Sequence, residues 1–149
     1  MDSGLEELLK KRNSVRKYQS VPVSKDDLDK LLWAGYGKTP IGRTVPSAGA
    51  CYPLKLYLVE KSDNFNYFDA PNYIVVAADY SRITKRYGDR GYRYTYMEAG
   101  HVAQNITLKA IELDLATVMV GAFNDKKIKG QLNINEEPIY IIPVGKEAV

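Results

Sequence analysis

The stretch RTVPSAGACYPLKLYLVE, residues 43–60, changes character at Cys51, where small and polar residues give way to an apolar run. The apolar part, Leu54–Glu60, predicts a β-strand. Residues 47–49 in front of it have very short side chains, so another group can approach their backbone closely. Three explanations are open: a nucleophile loop, a phosphate-binding loop, or a wall against a flat cofactor.

Two predicted helices precede this stretch, and further strands and helices follow it. Leucines spaced three and four apart predict a short first helix that ends near Lys11. A second helix begins after the capping residue Ser24 and is expected to end at Gly35 and Gly37. The remaining predicted elements are strands at 72–79, 116–123 and 138–144 and helices at about 94–113 and at 125–132. This order predicts one domain, residues 1–149, of the α+β class, with helices packed on a single mostly antiparallel sheet.

The helix predicted at about 94–113 is apolar over a broad surface. Val102, Ala103 and Ile106 lie on one side of it, and Met97 widens the apolar stripe. A surface this broad needs more than one packing partner, and few other elements remain to cover it. We therefore expect a homodimer that buries this helix.

Composition narrows the class of protein. The chain has 149 residues, 45% hydrophobic and 26% charged, which is typical of one soluble globular domain. No apolar run reaches the roughly 18 residues that cross a bilayer, so we expect no membrane association and a cytoplasmic protein. The single cysteine excludes an intrachain disulfide, and one cysteine with one histidine excludes a zinc site built from several such residues.

The nucleophile explanation finds little support. Ser47 lacks a G-x-S-x-G context, and Cys51 would need His101, the single histidine, as its base. A small side chain just before a strand and a histidine on a mostly apolar helix have ordinary packing roles. The sequence therefore argues against covalent catalysis.

Basic residues concentrate in two clusters, residues 10–17 and 81–94, although the net charge is only +3. A solvated surface, a nucleic acid or an anionic small molecule would each account for such clusters. No nucleic-acid-binding motif is present, so we do not expect a nucleic-acid partner.

The first cluster favours a phosphate site. Arg12 and Arg16 flank Ser14, which places two guanidinium groups and a hydroxyl in one linker. Neither a G-x-G-x-x-G motif nor a P-loop is present. A phosphate site made of side chains, together with the small residues at 46–49, predicts a flat ring with a phosphate tail, and flavin mononucleotide (FMN) meets that description.

Three motifs occur in order along the chain: RNSVR at 12–16, PSAGACYP at 46–53 and YGDRGYRYTYMEAGHVAQN at 87–105. Together they resemble the FMN-dependent nitroreductase superfamily, and most of all its SagB-type dehydrogenase branch, from about residue 12 to residue 146. The resemblance implies an intertwined homodimer with two FMN sites at the subunit interface. It also implies hydride transfer from NAD(P)H through the flavin to a small acceptor such as a quinone or nitro compound.

The resemblance implies site residues as well. The FMN phosphate and ribityl chain would be held by Arg12, Asn13, Ser14 and Arg16. The flavin ring would be lined from the other subunit by Pro46, Ser47, Ala48 and Gly49. Backbone groups would reach the N5–O4 edge of the ring from Val120 and Gly121, and a cation near the phosphate would come from Lys146.

The chain also departs from the family pattern. It shows no counterpart of the extra helices and the C-terminal arm found in many nitroreductases. Azoline-oxidising members of the SagB-like branch use a Lys-Tyr pair as base, and the nearest residues here are Lys85, Arg86 and Tyr87. Arginine stays protonated and cannot act as a base, so Tyr87 is the candidate catalytic residue, as a proton donor. Two alternatives stay open: a dehydrogenase of a peptide heterocycle, and a flavin-binding or basic-surface interaction module without turnover.

Overall fold

The computed structural model describes residues 4–149. Its elements are α1 Gly4–Lys11, α2 Lys25–Tyr36, β1 Lys38–Thr39, β2 Gly42–Arg43, a 3₁₀ turn Ala48–Ala50, β3 Leu54–Glu60, β4 Asn72–Ala78, α3 Ser81–Tyr87, α4 Arg90–Glu112, β5 Ala116–Thr117, α5 Asp125–Leu132 and β6 Glu137–Gly145. Within the described residues, none of the helices combines the length and the apolar character needed to cross a bilayer.

Four strands form the main sheet in the order β3-β4-β6-β5, and each neighbouring pair is antiparallel. Every residue of β4 is buried, because this inner strand is covered on both faces. Ile74 and Ile142 pack in the core cluster that contains residues of α2 and α4. Val75 and Ile141 point to the other face, where they pack with Ile128 of α5. The prediction of an α+β fold with helices on an antiparallel sheet is confirmed; the small β1–β2 hairpin is an addition to it.

Gly35 has a different role from the one expected. It does not end α2, which runs on to Tyr36 with Gly37 as its C-terminal cap. Gly35 is buried where α2 crosses α4, and a Cβ atom there would lie 2.8 Å from Cγ1 of Ile106. A side chain at this position would hold the two helices apart, so the glycine allows their close packing.

Replacing Gly35 by alanine is expected to lower the free energy of unfolding by about 1–3 kcal/mol, because the added methyl group overpacks the α2–α4 contact. The matched control is Gly130→Ala on exposed α5, where a Cβ atom would meet nothing within 4 Å. That change is expected to stabilise by about 0.5–1 kcal/mol through helix propensity. Urea unfolding measures both; equal effects of the two substitutions would contradict the packing role.

The basic stretch at 81–94 is helical, which the sequence patterns did not indicate. It forms α3 and the start of α4, and α4 begins at Arg90 rather than near residue 94. Ile83 of α3 is fully buried, so α3 has an apolar side hidden among charged residues. The expected end of the long helix is correct, since Asp114 follows it with a left-handed φ of 58°.

The strand predicted at 116–123 is interrupted. β5 covers only two residues, and pairing with β6 resumes at Val120, which exchanges two hydrogen bonds of 2.9 Å with Ile141. In the same register, Val118 lies opposite Pro143. Proline has no N–H to donate, so the hydrogen-bonded pair expected at Val118 cannot form.

Several large apolar side chains are exposed on the single chain. α1 contains no buried residue, and its Leu5 and Leu9 are 58% and 50% exposed. Trp33 of α2 and Met97 of α4 are each 54% exposed. Side chains of this kind are often covered by another protein.

Candidate functional site

The loop before β3 has a fixed and unusual backbone. Left-handed φ values occur at Gly49 (57°), Ala50 (52°) and Tyr52 (45°). The Ser47 hydroxyl accepts a hydrogen bond of 2.9 Å from the backbone N–H of Tyr52, which closes the turn. Residues 46–49, called the wall loop below, therefore present a shape that their surroundings hold in place.

Helix α3 packs against the wall loop at Gly49. Nη1 of Arg86 donates a hydrogen bond of 3.1 Å to the Gly49 carbonyl. A Cβ atom at Gly49 would lie 2.5 Å from the Tyr87 hydroxyl, so a side chain there would displace Tyr87, and the left-handed φ of 57° also favours glycine. The Tyr87 ring also packs edge-on against Tyr94, with ring centres 5.2 Å apart. Tyr87 thus lies at the wall loop, and its role as a proton donor stays a prediction.

A cavity of about 290 Å³ lies between the wall loop and α4. Its lining residues are Pro46, Ser47, Ala48, Tyr94, Met97, Glu98 and His101. Of the four residues from α4, Tyr94 lies about one turn before Met97 and Glu98, and His101 about one turn after them, which places them along one side of the helix. The wall loop and α4 therefore form two sides of one cleft.

Glu98 is a buried carboxyl group at this cavity, with 2% of its surface exposed. The Tyr36 hydroxyl donates a hydrogen bond of 2.6 Å to Oε2, whereas Oε1 has no hydrogen-bond partner among residues 4–149. Burial raises the pKa of Glu98, and the neighbouring hydroxyl groups of Ser47 and Tyr36 oppose this only in part. Oε1 is therefore an unpaired polar atom of a residue that lines the cavity.

The raised pKa of Glu98 predicts a pH-dependent stability. The folded protein binds the proton of Glu98 more tightly than the unfolded chain does. The stabilising contribution of this carboxyl is therefore complete below its ordinary pKa of 4.5 and is lost as pH rises through the folded-state pKa. Glu98→Gln keeps the shape without the charge. The free energy of unfolding of this variant, measured in urea from pH 4 to 8, is therefore expected to increase relative to that of the parent as pH rises. A constant difference between the two proteins would show that Glu98 is not buried as a neutral group.

Residues 12–16, called the phosphate segment below, lie beside β5. Val15 is buried and donates its N–H to the Thr117 carbonyl at 3.0 Å. Arg12, Ser14 and Arg16 around it are exposed. The structure therefore presents two guanidinium groups and a hydroxyl on the outside of one short segment, and their role in phosphate binding stays a prediction.

The other predicted residues lie at the same edge of the sheet. Val120 bridges to β6, and Gly121 beside it is exposed, with nothing within 4 Å of a Cβ position. The Lys146 carbonyl accepts the N–H of Gln19 at 2.8 Å, directly after the phosphate segment. Asn13 bonds back to the Lys11 carbonyl at 3.2 Å and lines a cavity of about 330 Å³ beside β5.

The predicted site residues thus fall into two groups. The phosphate segment, Val120, Gly121 and Lys146 lie along β5 and β6, whereas the wall loop leads into β3 at the opposite edge of the sheet. Asn13 and Val15 of the phosphate segment line one cavity, and Pro46, Ser47 and Ala48 of the wall loop line another. A single chain does not bring them together.

Sequence reasoning missed Glu98 and Tyr94. A signal for Glu98 was present, because it precedes Val102 by four positions and Ile106 by eight and so lies on the apolar stripe of α4. A glutamate on such a stripe is almost never fully buried unless its carboxyl group is paired, so it is a candidate for a functional group. Among residues 4–149, no group of three or more His, Cys, Asp or Glu side chains is arranged to hold a metal ion.

Comparison with known proteins agrees with this fold. The nitroreductase family model matches residues 9–67 and 60–146. A Methanocaldococcus jannaschii protein, provisionally named a nitroreductase, is 39% identical over 180 aligned residues, covering 96% of this chain and 91% of that protein. The structure of an FMN-dependent nitroreductase from Clostridium difficile has a TM-score of 0.76 and 25% identity, with 95% of this chain and 87% of that one covered. A Clostridium acetobutylicum structure, provisionally named an NADH oxidase, has a TM-score of 0.74 and 27% identity, with the same coverage of 95% and 87%. The chain belongs to the nitroreductase family of oxidoreductases.

Proposed function

We propose that the protein is an FMN-dependent oxidoreductase that transfers hydride from NAD(P)H to a small acceptor such as a quinone or nitro compound. The observation that carries this is the exposed set of two arginines and a serine on the phosphate segment, separate from a wall of small residues on a rigid loop. A ligand with a phosphate at one end and a flat ring at the other needs these two surfaces. The names of the two structural relatives point to the same cofactor and to a nicotinamide donor.

The residues present fit FMN when two copies of the chain are combined. Arg12, Ser14 and Arg16 of one subunit would hold the phosphate through charge-assisted hydrogen bonds, with Asn13 and Lys146 beside them. Pro46, Ser47, Ala48 and Gly49 of the other subunit would cover the ring. The separation of the two groups in one chain and the exposed leucines of α1 support a homodimer of this kind.

Bound FMN would supply the hydride chemistry, and the chain's own groups would control its setting. The wall loop would exclude water from one face of the ring. Backbone groups of Val120 and Gly121 would approach the N5–O4 edge, where an open glycine permits close contact. Tyr87, whose hydroxyl lies over Gly49, is the proposed proton donor.

The visible absorption spectrum of the purified protein tests this function. We expect bound flavin to give a yellow protein that NADPH bleaches in the absence of oxygen, and whose colour a quinone restores. A preparation that stays colourless after FMN is added would rule out the proposal.

The assignment to the SagB-type branch and a role in oxidising a peptide heterocycle form the alternative. Arg86 and Tyr87 lie at the wall loop, next to the position where the substrate would meet the ring. Arg86 cannot act as a base and is bonded to the Gly49 carbonyl, which favours the reductase. A yellow protein that NADPH does not bleach would reverse this preference, in favour of the dehydrogenase or of a flavin-binding module without turnover.

A further inference from the structure

Helices α3 and α4 carry a dense group of positive charges that the proposed FMN site does not use. The group, called the α3–α4 basic cluster below, consists of Arg82, Lys85, Arg86, Arg90 and Arg93. All five residues are exposed, and Asp89 is the one acid in the stretch from 81 to 94.

The cluster lacks the internal neutralisation that is present on α2. On α2, Lys25 pairs with Asp29 and Lys30 with Asp26, each at four-residue spacing. Within residues 4–149, the described ion pairs include none of the five cluster residues. Two of the five, Arg90 and Arg93, also lie in the first turn of α4, where the helix dipole disfavours cations. Mutual repulsion and an unfavourable dipole oppose this arrangement, which points to an anionic ligand.

Hydrogen bonds place the cluster at the rim of the wall-loop cavity. Arg86 binds the Gly49 carbonyl at 3.1 Å, and Nε of Arg90 donates to the Tyr94 hydroxyl at 3.1 Å. Tyr94 itself lines the cavity. Arg93 precedes the lining residue Met97 by four positions, so the two share one side of α4.

We propose that the α3–α4 basic cluster binds the phosphate groups of the dinucleotide donor and favours NADPH, an inference that rests on the proposed function. A nicotinamide ring stacked on the open face of the flavin ring would place its pyrophosphate one ribose away, towards the rim of the cavity. The pyrophosphate and the 2′-phosphate of NADPH together carry about four negative charges at neutral pH. The five cations of the cluster and the one acid, Asp89, have a net charge of +4, which would balance them. The FMN phosphate has its own cations, Arg12 and Arg16, beside β5.

The test compares Arg90→Gln/Arg93→Gln with the control Lys126→Gln/Lys127→Gln, which removes the same charge from exposed positions on α5. Each FMN-loaded protein is assayed with NADPH, NADH and the phosphate-free donor 1-benzyl-1,4-dihydronicotinamide. We expect the cluster variant to lose roughly 100-fold in the ratio of kcat/KM for NADPH to that for the phosphate-free donor, because two charge-assisted contacts are removed. NADH should lose less than NADPH, and the control should keep the parent ratio.

Direct binding supplies a second measurement. Calorimetric titration of NADP⁺ into the FMN-loaded parent and variants should show weaker binding only in the cluster variant, and the affinity of the parent should fall steeply with salt. An unchanged donor ratio with unchanged NADP⁺ binding would overturn the inference while leaving the proposed function intact. Loss of FMN from the cluster variant would also overturn it, because the cluster would then belong to the cofactor site. Failure of every donor to reduce the parent protein would overturn both.

Discussion

Replacing Arg12 and Arg16 together by alanine is expected to weaken FMN binding by about 3–6 kcal/mol, since each charge-assisted hydrogen bond to a phosphate contributes roughly 1.5–3 kcal/mol. Both side chains are exposed on the single chain, so their removal should leave folding intact. The loss corresponds to at least a hundredfold increase in the Kd for FMN. Quenching of FMN fluorescence on titration with protein gives this Kd directly.

The matched control for this pair is Lys126→Ala/Lys127→Ala. It removes two exposed cations from α5, which contains none of the residues assigned to FMN, and should leave the Kd near that of the parent. Riboflavin, which lacks the phosphate, should bind the double arginine variant and the parent almost equally. Unchanged FMN affinity in the arginine variant would contradict the phosphate assignment.

Subunit mixing should give the second large effect. Ala48→Phe fills the cavity beside the wall loop and is expected to abolish binding of the ring, while the double arginine variant loses the phosphate contacts. Neither homodimer should hold FMN. A heterodimer of the two variants should recover one intact site of its two, because one subunit still supplies a normal wall loop and the other a normal phosphate segment.

This recovery depends on the geometry of the site. Differently tagged subunits allow the heterodimer to be purified, and its FMN content can be read from the absorption spectrum. If each site were built from one chain, both sites of the heterodimer would be defective and no flavin would be recovered. The heterodimer of the parent and the arginine variant, which should also keep one site, calibrates the signal.

Local patterns predicted most of the fold. The cap at Ser24, confirmed by its hydrogen bond to the Asp27 N–H, and the continuous apolar run of β4 are signals that a few neighbouring residues carry. Gly37 caps the end of α2 as expected, but the role of Gly35 could not be read in this way. Gly35 looks like a stop signal, and its real reason, the contact with Ile106, is 71 positions away in the sequence.

The high density of charged residues made α3 hard to recognise from the sequence. Tyr80, Ile83 and Tyr87 have helical spacing, but three cations and two polar residues between them dominate the pattern. The break at Val118 was hidden for another reason, since it depends on which residue of β6 lies opposite. Only the register identifies Pro143 as that residue.

The candidate site shows the same limit. The short motifs identified the residues of the phosphate segment and the wall loop, because each group is contiguous in the sequence. Their placement at opposite edges of the sheet follows from the strand order, which no motif encodes. The partner of Glu98, Tyr36, is 62 positions away, so the buried pair could be recognised only in the folded chain.

The left-handed backbone at Gly49, Ala50 and Tyr52 has a consequence for how a ligand enters. Such conformations cost a non-glycine residue on the order of 1 kcal/mol or more, and that cost is met when the chain folds. The loop is already in its final shape before any ring arrives, so little ordering entropy is lost at the moment of association. A flat ring that binds at this surface, as proposed, would therefore meet a loop already in its bound shape, and the cost of ordering the loop would fall on the stability of the fold.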